Sequence, residues 1–285
     1  MNKKERILII GASGFLGTCL YNFFSKKTSF VVKGTYFNNE NEIFEKLDIL
    51  DYDQVLRIVK LFKPTIIIHV AGAARPTLFK NRQNNNLHEL NYCGTKNIID
   101  CANIIKAKII FFSSLFVFNA NDNNLFSELS QVCPLGLYGK SKAESEKLIK
   151  TNNKYLIIRT DLLFGYNGKK LNNGLLNLIL DNNDMHFPKN EIRKPLYVDD
   201  LCSIVEALIK QKYTGILHIT GNQPISYYDF VKTISLELGM SQKIKNYNSE
   251  YQSLPILDTN KFKNMKHKIS SISESINKIK RKINV

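Results

Sequence analysis

At 285 residues and 44% hydrophobic content the chain can bury one sizeable core, or a core with a smaller lobe attached, which excludes a disordered protein. Forty basic against 25 acidic residues give a formal charge of +15, but the lysines are spread along the chain without an aromatic-basic recognition motif, so no nucleic-acid partner is expected. No run approaches the roughly 20 apolar residues of a membrane helix; MNKKERILII is too short for a secretory signal, and neither cysteines nor histidines fall at metal-ligand spacings, so a cytoplasmic protein with no integral membrane contact and no metal is expected.

In chain order, strands are predicted at 6–10, 30–36, 65–70, 108–112, 155–159 and 215–219, each a short β-branched run. Helical patterns fall at 14–26, 51–62, 85–105, 137–151, 172–181, 198–210, 226–238 and 270–282. Strands apolar on both faces, alternating with helices, specify parallel strands joined by crossovers, so the expected class is α/β with a Rossmann-type doubly wound parallel sheet. After Arg159 the pattern thins, and Gly165, Gly168, Pro188, Pro195 and Pro255 mark irregular segments. The expected division is an NAD(P)-binding domain over 1–165, with a strand and helix returning to it from about 196–220, and a smaller, mostly substrate-binding C-terminal lobe with a last helix over 166–285. Isoleucines 269, 272, 276, 279 and 283 put one apolar stripe on that helix, which suits docking on the body, a homodimer seam or, given Lys278, Lys280, Arg281 and Lys282, a peripheral membrane contact.

The first strand runs directly into Gly11-Ala12-Ser13-Gly14-Phe15-Leu16-Gly17, which opens a helix. Gly11 allows the tight turn, Gly14 lets the backbone approach a pyrophosphate, Gly17 permits close helix–strand packing, and the helix N-terminus offers its N–H groups to phosphate. Where the second strand ends, NAD enzymes supply an acid to the adenosine ribose; here none stands before Glu40, which favours NADP over NAD, although no arginine stands there either.

Ser113 and Ser114 end the strand predicted at 108–112, at the carboxyl edge where open α/β sheets bind ligands. Ser114 suits a hydrogen bond to a substrate carbonyl, and Ser113 a structural bond to the backbone; both also suit plain strand-end caps. Tyr138 and Lys142 share a helix face four residues apart. A lysine ammonium and an oxidised nicotinamide both favour phenolate, which makes Tyr138 the proton donor or acceptor. Lys140, offset by two, faces elsewhere.

The Gly11–Gly14–Gly17 spacing, Tyr138-Gly139-Lys140-Ser141-Lys142 and the order in which they occur resemble the extended short-chain dehydrogenase/reductase family. Ser113 to Asn119, Cys133 to Glu146, Arg159 to Gly165, Arg193 to Asp200 and Leu217 to Asn222 are similar to the dTDP-4-dehydrorhamnose reductase branch and its sugar-nucleotide-reductase relatives. The resemblance implies that Asp48 and Ile49 meet the adenine, that Ala71, Gly72 and Ala73 flank the cofactor, and that Asn91 leads the central helix beside it. It further implies reduction of a keto group on a nucleotide-activated deoxysugar, with Lys142 on the nicotinamide ribose, Ser114 and Phe116 at the sugar, and Arg193 or Lys194 on the diphosphate. Leu115 to Ala120 depart from the Asp-Tyr-Val-Phe-Asp-Gly usual in those reductases, which leaves the sugar open. The alternatives are a nucleotide-sugar epimerase or dehydratase that retains NAD, and a non-catalytic NADP-binding regulatory subunit like the one that accompanies methionine adenosyltransferase.

Overall fold

The computed structural model describes residues 4–27, 29–38, 42–72, 88–119, 125–134, 136–168, 175, 185–240, 244–251 and 254–283. Its centre is one sheet of β1 (Glu5–Ile10), β2 (Phe30–Tyr36), β3 (Glu45–Lys46), β4 (Ile66–His69), β5 (Lys108–Ser114), β6 (Tyr155–Thr160) and β7 (Gly215–His218). The helices are α1 (Phe15–Ser25), α2 (Tyr52–Phe62), α3 (Gly94–Ile104), α4 (Leu137–Ile149), α5 (Val198–Lys210), α6 (Tyr227–Glu237), α7 (Asn260–Lys263) and α8 (Ile272–Ile283).

All neighbouring strands are parallel and run in the order β7-β6-β5-β4-β1-β2-β3. The direction of winding reverses between β1 and β4, which places a crevice at their carboxyl ends. Ile7 and Ile9 of β1 face α1 and α5, while Leu8 and Ile10 face α2 and α3. Strands covered on both sides need no polar face, which is why each reads as an unbroken apolar run.

A second core of Phe164, Phe187, Tyr197, Phe230 and Ile234 lies beyond β6. Among the described residues it is framed by short two-stranded pairings, Leu163–Phe164 with Leu196–Tyr197 and Met185–Pro188 with Ile244–Tyr247. Ile276 and Ile279 of α8 are buried in this core. On the flanks of the same helix, Lys278 pairs with Asp200 at 3.3 Å, Lys280 with Glu237 at 2.8 Å and Lys282 with Asp199 at 2.6 Å. The basic tail therefore docks on the body, with acids on α5 and α6 answering its lysines. The helix predicted at 85–105 is in its described part a wide π turn, Glu89–Cys93, leading into α3. The helix predicted at 172–181 lies outside the described residues except for Leu175.

Candidate active site

Gly11 leaves β1 with φ +91°, and a Cβ there would come within 2.6 Å of the Ala71 nitrogen. At Gly17 a Cβ would stand 2.2 Å from the Gly11 carbonyl oxygen, so α1 can lie this close to the turn only without a side chain. Gly14 differs: a Cβ would meet only the Gly11 oxygen, at 3.5 Å. The protein leaves that position open, which is the clearance an approaching pyrophosphate needs at the N-terminus of α1. Thr35 of β2 accepts the Gly11 N–H on its hydroxyl at 3.2 Å and the Ala12 N–H on its carbonyl at 2.8 Å, and the Thr18 hydroxyl donates to the Ala12 carbonyl at 2.9 Å. These two threonines fasten the turn from either side; sequence reasoning missed both, because one buried threonine carries no pattern.

Ser13, Phe15 and Leu16 are half-buried along the same turn. Asp48 accepts the Leu50 N–H at 2.9 Å, and Ile49 is buried beneath Gly94 of α3. Ala71 and Gly72 follow β4 at the crevice; Ala73 lies outside the described residues. Asn91 sits buried in the π turn, its amide donating to the Ser141 hydroxyl at 2.9 Å, while Ser141 donates to the Tyr138 carbonyl at 2.8 Å. The Asn91 carbonyl accepts the hydroxyls of Thr95 at 2.5 Å and Ser145 at 3.0 Å. The wide turn thus ties α3 to α4 and fixes the start of the helix that carries Tyr138.

β5 delivers Ser113 and Ser114 to the carboxyl edge. The Ser114 hydroxyl accepts the Phe116 N–H at 3.3 Å, capping the turn Leu115–Val117, and still has its own proton to donate. Ser113 differs from expectation: its buried hydroxyl has no hydrogen-bond partner among the described residues, instead of bonding the backbone. An unpartnered buried hydroxyl beside the crevice suits a ligand group that arrives there.

Phe116 gathers the rest. Its ring meets Tyr138 edge-on at 6.2 Å and Tyr251 at 6.5 Å, and the Arg193 guanidinium lies over it at 5.7 Å. Tyr251, from an irregular segment, was not legible in the sequence. Arg193 is buried, its Nε donating to Asp161 at 2.7 Å, while its NH1 stands 3.5 Å from Glu191 and makes no hydrogen bond among the described residues. Lys194 is half-buried, and its backbone N–H donates to the other Asp161 oxygen at 2.6 Å.

One turn along α4 from Tyr138, the Lys142 ammonium donates to the Phe112 carbonyl at 3.0 Å and lies 4.6 Å above the Phe111 ring. Burial pushes its pKa down to about 8, against the pull of Glu146. His69 flanks the same Phe111 ring. The Thr95 hydroxyl gives its proton to Asn91, so it must accept one from His69 Nε2, at 2.9 Å; His69 Nδ1 is left as a buried, unpartnered acceptor. Burial, reinforced by Lys142, lowers the His69 pKa to about 3 and keeps the ring neutral. The arrangement puts the Tyr138 phenol, against Phe116, and a cation that burial pushes to lose its charge one helical turn apart on α4.

A family model described as RmlD substrate binding domain matches residues 5–268. Methionine adenosyltransferase 2 subunit beta of Xenopus tropicalis is 31% identical over 236 residues, covering 79% of this chain and 70% of that protein. The dTDP-4-dehydrorhamnose reductase of Aggregatibacter actinomycetemcomitans is 30% identical over 247 residues, covering 84% and 81%. Among solved structures, the dTDP-4-dehydrorhamnose reductase of Bacillus anthracis in complex with NADP superimposes with a TM-score of 0.81 at 24% identity, covering 97% of this chain and 98% of that one.

Proposed function

Because the chain belongs to the RmlD substrate binding domain family, we propose that it is an oxidoreductase that reduces a keto group on a nucleotide-activated deoxysugar, with a nicotinamide dinucleotide as reductant. The observation that carries this reading is Phe116, whose ring joins Tyr138 of the Tyr–Lys helix to Arg193 of the second lobe beside the hydroxyl of Ser114.

Gly11, Ser13, Gly14, Phe15, Leu16 and Gly17 would hold the pyrophosphate, and Asp48 and Ile49 the adenine. Ala71, Gly72, Ala73 and Asn91 would line the middle of the dinucleotide, and Ser113, Tyr138 and Lys142 its nicotinamide end. The bound reduced nicotinamide supplies the hydride. Tyr138 gives the phenolic proton to the carbonyl oxygen, and the Lys142 ammonium lowers the cost of the phenolate that remains. Ser114, already fixed by the Phe116 N–H, would donate a hydrogen bond to the same oxygen, keeping its proton, and orient the carbonyl. Arg193, with an NH1 that makes no hydrogen bond among the described residues, and Lys194 meet the diphosphate. The preferred reductant is NADPH, since Tyr36, Phe37 and Asn38 bring no carboxylate against a 2′-phosphate.

The test is loss of absorbance at the nicotinamide band when purified protein is mixed with NADPH or NADH and a panel of nucleotide keto-sugars. Turnover should fall by about 100-fold or more in Tyr138→Phe, with cofactor affinity largely kept. The match to methionine adenosyltransferase 2 subunit beta favours one second reading, a non-catalytic NADP-binding subunit. Tight NADPH binding with no turnover on any keto-sugar would decide for it, and product formed without NADPH consumption would point to an epimerase.

A further inference from the structure

Opposite the crevice, at the amino ends of the strands, lies a groove of about 830 Å³, within the range of small-molecule pockets. Among the described residues, six lysines and a single carboxylate, Glu5, line it. Lys63, Lys106 and Lys212 turn the chain out of α2, α3 and α5, and Lys60, Lys154 and Lys108, whose ammonium donates to the Tyr213 carbonyl at 2.5 Å, line the rest. Elsewhere Lys33, Lys96, Lys210, Lys278, Lys280 and Lys282 each pair with an acid. Among the described residues, none of the six groove lysines lies in an ion pair.

The backbone reinforces the point. Lys63, Lys106 and Lys212 have φ of 50°, 57° and 53°, three of the four non-glycine residues with positive φ among the described residues. Glycine ends helices in this conformation at least strain, so a lysine there costs stability and crowds like charges together. Helix ends present roughly half a negative charge each, which one lysine apiece would answer. Three helix ends and Glu5 do not balance six ammonium groups.

We propose that this groove binds a small anion carrying two or more phosphates, at a site separate from the crevice by the length of the sheet. Its apolar lining is Pro64, Ile66, Ile105 and Ile209, and among the described residues no aromatic side chain lines the groove. A nucleic acid would find nothing to stack on, whereas ammonium groups on flexible stems suit clustered phosphates.

The test titrates inorganic tripolyphosphate into the full chain by calorimetry at low ionic strength, with NADPH present to fill the glycine turn. Saturable one-site binding is expected, weakened about tenfold or more in the triple variant Lys63→Gly, Lys106→Gly, Lys212→Gly. Glycine relieves the backbone at all three positions, so the variant's thermal midpoint should equal or exceed that of the unaltered chain. As a check independent of the helix ends, Lys154→Gln alone should weaken binding by about threefold. Equal affinity in both variants, no binding to the unaltered chain, or tighter binding of an oligothymidylate than of tripolyphosphate would overturn the proposal.

Discussion

Lys142 holds a charge where burial resists it. Its ammonium has one carbonyl and the face of Phe111 for company, and its pKa of about 8 lies below the ordinary 10.5 chiefly because it is buried. From pH 8 to 10.5 the unfolded chain binds the proton more tightly than the folded one, so stability gained from this group rises with pH across that window. At pH 7 the folded protein carries the full cost. Lys142→Met is therefore expected to raise the thermal midpoint at pH 7 by about 2 °C or more while abolishing turnover, and the gain should shrink as pH approaches 10.5. Melting curves of both proteins across that range, with rates alongside, check it; a variant less stable at pH 7 would refute it. The chemistry at this residue was legible in the sequence because Tyr138 and Lys142 stand one helical turn apart. The unpartnered hydroxyl of Ser113 was not, since partners from distant segments decide whether a buried serine is satisfied.

At the scale of elements, α4 must hold Tyr138 in place, and its other end is fixed by a buried ion pair. Glu146 accepts from Arg159 of β6 through both oxygens, Nε at 2.9 Å and NH2 at 2.7 Å, and Arg159 stacks on Phe118. Both side chains are about 1% exposed, so neither charge reaches water if the other is removed. Glu146→Ala should cost about 3–5 kcal/mol, whereas Glu146→Leu with Arg159→Met should recover most of it, because two matched apolar groups replace two desolvated charges. Chemical denaturation of the unaltered chain and the two variants measures this. Equal losses in the single and double variants would mean that the pair contributes beyond its own charges. Long elements were legible for a related reason: β5 and β6 are apolar on both faces, and α4 repeats on one face. Pairings such as Leu163–Phe164 with Leu196–Tyr197 span two residues, too short for any period, and the π turn at Glu89–Cys93 lies within a pattern that reads as continuous helix. Glu146 and Arg159 were each visible, but only the fold brings them together.

Across the whole molecule, two histidines sit neutral inside a chain that already carries +15. His218 of β7 accepts from Arg159 NH1 at 3.3 Å and donates to the Asp258 carbonyl at 3.1 Å. Burial first, then Arg159, lowers its pKa to about 4, and His69 lies lower still, at about 3. Below pH 6.5 the unfolded chain takes up protons that the folded chain refuses, so stability is lost as pH falls toward 4 and is fully present above 6.5. Each histidine contributes a slope of at most about 1.4 kcal/mol per pH unit in that interval. Asp51, held low by the Gln54 N–H and amide, and Glu274, held low by the Ser271 N–H, lose their contribution only as pH falls through the ordinary carboxylate range, so the two histidines set the upper part of the interval, above about pH 5. The thermal midpoint should therefore fall between pH 6.5 and 5. In His218→Asn, whose amide can still donate to Asp258, the slope in that window should become shallower, because one of the two refused protons is gone. An unchanged slope in that variant would show that His218 is already protonated in the folded protein, and that its contact with Arg159 is not the acceptor bond drawn from the geometry.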